Sequence, residues 1–81
     1  VLAALKGKDV GGIVGELRPF VEGFYCTRVE NERSLSPLGL LEVAGGVAVD
    51  DCVEAVKAAR TRGPVLATGS LFLAGELKKR L

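Results

Sequence analysis

The 81 residues contain no histidine, methionine or tryptophan, and the aromatics come to three Phe and one Tyr. Without histidine, Ser-His-Asp and Cys-His catalysis are excluded within this chain. The only cysteines are Cys26 and Cys52, with no CxxC pair between them. Neither a zinc site nor a thioredoxin-type redox motif is supported, and two buried free thiols are expected. A surplus of either charge is also missing: 11 Lys and Arg against 10 Asp and Glu leave a formal net charge of +1. So small a charge sets up no long-range field towards nucleic acid or an anionic membrane, and neither partner is expected. No stretch approaches the ~20 consecutive apolar residues of a membrane span, and no signal-peptide pattern opens the chain, so the expected location is cytoplasmic. Gly7, Gly11, Gly12 and Gly15 do not have the GxGxxG spacing, and GxxxxGK[ST] is absent. No Rossmann dinucleotide fingerprint and no P-loop nucleotide site therefore follow from the sequence.

What is present is ordinary globular material, 48% apolar and 26% charged. A chain this short buries only about 60% of its unfolded surface, so one domain or part of one is expected. The opening apolar run, Val1–Leu5, has no period-2 alternation, as in a parallel strand covered on both faces. It starts without Met, as a piece of something longer would. Asp9 can cap a helix that places Val10, Ile13, Val14 and Leu17 on one stripe. Pro19 is expected to stop that helix by disfavouring helical geometry at Arg18.

Phe24, Tyr25, Cys26, Thr27 and Val29 read as a strand, ended by polar Glu30 to Arg33. Tyr25 and the three Phe are expected in the core rather than on a base-stacking platform. Ser36-Pro37 starts a helix with Leu38, Leu41 and Ala44 inward, and Gly45-Gly46 ends it. Val47 to Val49 suffices for a very short strand. Asp51 to Glu54 makes a capping box for a helix with Val53, Val56 and Ala59 inward. Val65 to Thr68 reads as another buried strand, leading through Gly69-Ser70 into a last helix with Leu71, Ala74, Leu77 and Leu81 inward. Lys78, Lys79 and Arg80 suit the carboxyl end of its dipole. The order is α/β, with a mainly parallel, Rossmann-like sheet flanked by helices.

Thr68-Gly69-Ser70 carries the most chemistry, because ligands of open α/β sheets gather where a parallel strand gives way to a helix. Backbone N–H groups there, with the Ser70 hydroxyl and the positive end of the dipole, suit a carboxylate or phosphate; a plain N-cap explains Ser70 equally. Lys6-Gly7-Lys8-Asp9 occupies the same edge after the first strand, where Lys6 and Lys8 could meet anionic groups and Asp9 could simply cap. Asp50-Asp51 is better explained by capping than by a metal pair, since adjacent residues entering a helix point apart.

Three features, the opening Val1 to Asp9 with its Lys-Asp ending, Ser36-Pro37 before a short helix, and the closing stretch from Thr68 to Leu81, resemble the C-terminal domain of the folylpolyglutamate synthase and dihydrofolate synthase family of Mur-type ligases. The family commonly has Lys-Asp-Lys-Asp where this chain has Lys6-Gly7-Lys8-Asp9, which weakens a role for the first acidic position.

The resemblance implies that residues 1–81 are part of a domain closing over the cleft of an ATP-dependent ligase. Such an enzyme activates a carboxylate as an acyl phosphate, which the amino group of glutamate attacks to extend folate or to join dihydropteroate to glutamate. It implies glutamate binding at Ser70 and Gly69, possible anion contacts at Lys6 and Lys8, and no catalytic residue in this chain. ATP and Mg2+ would belong to the intact enzyme's N-terminal ATPase domain, none being bound by this part alone.

The family's Asp-Gly-Ala-His-Asn-Pro segment is absent. With it goes a central strand between the equivalents of Val1–Leu5 and Val65–Thr68. Those segments would then pair directly, or the slot would be filled by a second chain or left incomplete. Two other readings fit the residues: a non-catalytic α/β module binding an anion or a protein through its strand ends, and a unit that self-associates through an exposed sheet edge.

Overall fold

The computed structural model describes residues 1–68 and 71–80, with only the backbone of 71 and 72 considered. The described residues are mixed α/β, with four α-helices and a two-stranded parallel sheet.

Asp9 opens α1 (Val10–Leu17) by accepting the Gly12 N–H at 3.1 Å. Val10 and Val14 are buried, and Ile13 and Leu17 pack half-buried against the same cluster, so the expected stripe forms. The α-helix stops at Leu17, before Pro19, as expected, but not by the expected loss of helical geometry at Arg18. Arg18 keeps helical φ −52° and ψ −39°, and the chain tightens into a 3-10 turn over Arg18–Phe20. A proline lacks its own donor, and early in a tight turn none is required.

Strand β1 (Tyr25–Cys26) pairs in parallel with β2 (Val47–Ala48), Tyr25 opposite Val47. Between them runs α2 (Pro37–Ala44), capped by the Ser36 hydroxyl, which accepts the Gly39 N–H at 3.0 Å. Beyond β2, Asp51 caps α3 (Cys52–Arg60) by accepting the Glu54 N–H at 3.1 Å, and α4 (Leu71–Arg80) closes the described chain.

The opening run lies between two extended neighbours. Leu2 bridges in parallel to Cys26 on one side and to Thr68 on the other. The Leu2 N–H donates to Tyr25 O at 2.9 Å, and Leu2 O accepts from Thr27 N at 2.8 Å. On the far side, Thr68 N donates to Val1 O at 3.0 Å and Ala3 N to Thr68 O at 3.3 Å. Of the arrangements expected for Val1–Leu5 and Val65–Thr68, direct pairing is the one found. The parallel segments therefore run in the order Thr68, Leu2, β1, β2. After Leu2 the run turns to the 33–35 segment, with Leu35 N donating to Ala4 O at 2.8 Å and an antiparallel bridge from Leu5 to Ser34.

The core divides in two. Leu2, Ala4, Phe24 and Cys26 pack with Val10 and Val14 of α1 and Leu40 and Ala44 of α2. Ala3 and Val29 pack with Cys52 and Val56 of α3 and Leu73 and Leu77 of α4, joined by the partly buried Val1, Leu5 and Val53. Consecutive residues of the opening run thus alternate between two apolar clusters, which accounts for the missing polar alternation. Both cysteines are buried free thiols, as expected.

Four packing expectations need correction. Val65 to Thr68 is not a buried strand: Leu66 is 53% exposed and Ala67 exposed, and the segment joins the opening run through an isolated bridge at Thr68, as an outermost neighbour with no further segment covering it among the described residues. In α2 the buried residues are Pro37, Leu40 and Ala44, while Leu38 is 69% exposed and Leu41 half-buried. In α4 they are Leu73 and Leu77, while Ala74 is exposed; the Leu71 side chain and Leu81 lie outside the described residues. Each helix is rotated from the expected stripe because leucines are spaced so closely that more than one apolar stripe exists, and packing selects one. Phe20 is 84% exposed instead of in the core, because it sits in the 3-10 turn beyond the buried end of α1.

Candidate functional site

The carboxyl ends of the parallel segments carry the charged groups. Lys6-Gly7-Lys8 forms the turn between the opening run and α1, and both lysines are exposed. Its backbone is held by Lys6 N donating to Arg33 O at 2.7 Å and Lys8 N donating to Leu5 O at 3.4 Å. Arg33 comes back over this turn, and its Nη2 donates to Lys6 O at 3.4 Å. Its own loop is braced locally: Asn31 Oδ1 accepts the Arg33 N–H at 2.9 Å, and Ser34 Oγ accepts the Val29 N–H at 3.2 Å. Three cationic residues therefore share one edge, Arg33 reaching the backbone of the turn that carries Lys6 and Lys8, and among the described residues none of them is in an ion pair. Asp9 is engaged at the α1 cap.

Gly69 and Ser70 lie outside the described residues. Thr68, immediately before them, is held beside the opening run. Lys6 and Lys8 are brought to the edge at which they were expected, and Arg33 joins them. Sequence reasoning passed over Arg33 as part of a polar strand ending. A signal was available, since a loop leaving one parallel strand's carboxyl end emerges at the same edge as the loop of its neighbour.

Further along the same edge is a second cluster, around a cavity of about 190 Å³. Cys52, in the first turn of α3, donates its thiol hydrogen to Glu76 Oε2 at 3.0 Å. The other oxygen, Glu76 Oε1, accepts the Glu30 N–H at 2.9 Å. Arg80 reaches Glu76 Oε2 at 3.2 Å and Asp51 Oδ1 at 2.8 Å. Burial pushes the Cys52 thiol up to about 11, with help from the bond to Glu76. The Glu30 amide, the Cys52 thiol and Arg80 hold Glu76 below its ordinary carboxylate value, and Arg80 with the Glu54 amide does the same for Asp51. A thiol so protonated is a poor nucleophile. Among the described residues no group of three His, Cys, Asp or Glu could hold a metal ion. Asp51 is a cap, and Asp50 is engaged through its backbone, its carbonyl accepting from Thr27 Oγ1 at 3.3 Å.

A larger cavity, about 670 Å³, lies elsewhere, at the amino ends of the parallel segments. Leu17, Val21, Tyr25, Val47 and Leu66 line it beside the exposed Phe20, with Glu22 and Arg62 as its charged groups. Its walls are mainly apolar, and Lys6, Lys8 and Arg33 are at the other edge. Charge placement therefore identifies the candidate site better than volume does. No helix is long and apolar enough to cross a membrane among the described residues. Compared with known proteins, the chain matches no family model, no curated protein and no solved structure.

Proposed function

We propose that this chain is the carboxylate-binding segment of an ATP-dependent glutamate ligase of the folylpolyglutamate and dihydrofolate synthase type. Its sheet is read as Rossmann-like and mainly parallel, with the central strand missing. The observation that carries the reading is the return of Arg33 over the Lys6-Gly7-Lys8 turn, which places three cations at the carboxyl end of the opening strand, beside Thr68.

In such an enzyme ATP and Mg2+, held by a separate ATPase domain, supply the acyl phosphate. This chain's part is to attract and orient the carboxylates of incoming glutamate, with Gly69 and Ser70 completing the edge. The positioned amine then attacks the acyl carbon and phosphate leaves. The reading fits a protein bound to glutamate, folate or dihydropteroate in the cytoplasm, without nucleic acid or membrane.

The test is an NMR titration of the chain with L-glutamate and with inorganic phosphate. Amide shifts at Lys6, Lys8 and Arg33 are expected. Arg33→Ala and Lys6→Ala should each weaken binding roughly five-fold, since an exposed charge contributes about 1 kcal/mol at most. Binding without shifts at these residues would overturn the site. Glutamate-dependent ADP release with a folate acceptor, measured on the chain joined to an ATPase domain, then separates the ligase from a non-catalytic anion-binding module. The module remains a second reading because the same three cations would serve it unaided.

A further inference from the structure

The face at the amino ends of the parallel segments has no part in the function proposed above. The chain reaches its cavity of about 670 Å³ from two directions: the 3-10 turn and Val21 to Phe24 lead into β1, and Arg62 to Leu66 lead towards Thr68. Val47 opens β2 at the far end, since β2 and the segment before Thr68 lie at opposite edges of the parallel order.

Single exposed apolar side chains are ordinary on a folded surface, whereas a gathered group marks a contact. Phe20 is 84% exposed, Leu66 53% and Val47 47%, and all three line this one cavity beside the half-buried Leu17, Val21 and Tyr25. Phe20 is not a loose end. Arg18, the first residue of its turn, donates to Ala44 O at 3.4 Å and stands over the Phe24 ring, so the base of the projecting turn is fixed before any partner arrives. The charged groups of the same face are Glu22 and Arg62, both exposed, and among the described residues neither is in an ion pair. One face thus carries a projecting ring and a depression, a carboxylate and a guanidinium. These are the two halves of a self-complementary contact, in which each group meets its complement once in each direction.

We propose that this face binds a second copy of the chain about a two-fold axis, with Phe20 of each copy seated in the cavity of the other and Glu22 of each paired with Arg62 of the other. The charges set the register, because any arrangement that turns Glu22 towards Glu22 puts like charges together. A partner carrying charge of one sign would satisfy one of the two groups and oppose the other. The edge of Lys6, Lys8 and Arg33 is at the opposite ends of the segments and stays open in the pair. The dimer and the anion site therefore stand or fall separately.

Sedimentation equilibrium from about 1 μM to about 1 mM tests the proposal, with circular dichroism to confirm that each variant is folded. The average mass should rise from one chain towards two. Phe20→Ala changes a side chain already in solvent, and it should weaken association at least about ten-fold because the ring is lost from both sides of the contact. Glu22→Arg and Arg62→Glu each set like charges opposite one another, and each protein alone should be monomeric over the same range. Mixed together, the two should associate again, since every facing pair is then of opposite sign. A mass of one chain throughout would overturn the proposal, as would association that survives Phe20→Ala or either charge reversal, or that does not return on mixing. An apolar dye bound at the cavity by a protein that stays monomeric would also overturn it, and would give the cavity to a small ligand.

Discussion

Replacing Gly46 by alanine should damage the fold more than the same change at its neighbour, and the difference isolates one contact. Gly45 ends α2 with φ 74° and ψ −172°, a region that side-chain-bearing residues avoid, but a Cβ there would meet open space. Gly45→Ala should therefore cost the conformational strain alone, about 1–3 kcal/mol. Gly46 has φ 96°, and a Cβ built on it runs into the backbone carbonyl of Phe24. That carbonyl accepts the Val47 N–H at 3.0 Å, one of the bonds joining β2 to β1. Gly46→Ala should cost similar strain, plus about 1–3 kcal/mol for displacing a packed backbone and about 1 kcal/mol for the weakened hydrogen bond. The total, about 3–7 kcal/mol, is a large part of the roughly 4–12 kcal/mol usual for a domain of this length. Urea denaturation followed by far-UV circular dichroism measures both variants. With a slope of about 1 kcal/mol/M, the Gly46→Ala midpoint should fall at least ~1.5 M further than that of Gly45→Ala. Midpoints within about 0.3 M of each other, at the same slope, would refute the close approach of the α2 end to β1.

The rotated stripe in α2 predicts that Leu40→Ala costs about 2–5 kcal/mol while Leu38→Ala stays within about 0.5 kcal/mol, both read from urea midpoints. Ser36→Ala should lower stability by about 1 kcal/mol through loss of the α2 cap. The depressed carboxyls of Glu76 and Asp51 contribute stability that is present above their ordinary values of 4.5 and 3.8 and lost as pH falls through the folded ones. Acid titration should therefore loosen α4 below about pH 4.5, and Glu76→Gln should flatten that limb of the curve; an unchanged limb would remove Glu76 as its cause. At alkaline pH the raised Cys52 thiol has the opposite sign, so stability should decline from 9.0 towards about 11, and less steeply in Cys52→Ala.

The elements that were legible in the sequence carry their own local signals. Asp9, Ser36 and Asp51 mark three helix starts because a short polar acceptor before an apolar run has few other uses. The opening run announced burial on both faces through its lack of alternation, and the structure divides it between two clusters. Helix rotation was not legible. Leu38, Leu40 and Leu41 supply apolar residues on several sides of α2, and the choice is made by Phe24 and Cys26, far away in sequence. Arg33 and the tie from Glu76 to Glu30 were hidden for the same reason, since each joins segments whose proximity only the strand order creates. Pro19 ends the α-helix by tightening it into a 3-10 turn, which leaves Arg18 helical and its guanidinium 5.6 Å from the Phe24 ring centre.

The direct pairing of the opening run with the segment before Thr68 also governs how the molecule assembles. The bond from the Val1 amine to Leu66 O joins residues 65 apart in the chain. Closing so long a loop is entropically slow, whereas α1 and β1 lie within the first third of the sequence. The cluster of α1 and α2 can therefore condense early around one side of Leu2. The other side stays open, with its N–H and C=O groups facing water, until the last third of the chain arrives. Folding should be limited by that closure, and the half-assembled species would present an unpaired edge beside apolar Ala3, the form most prone to pair with another molecule.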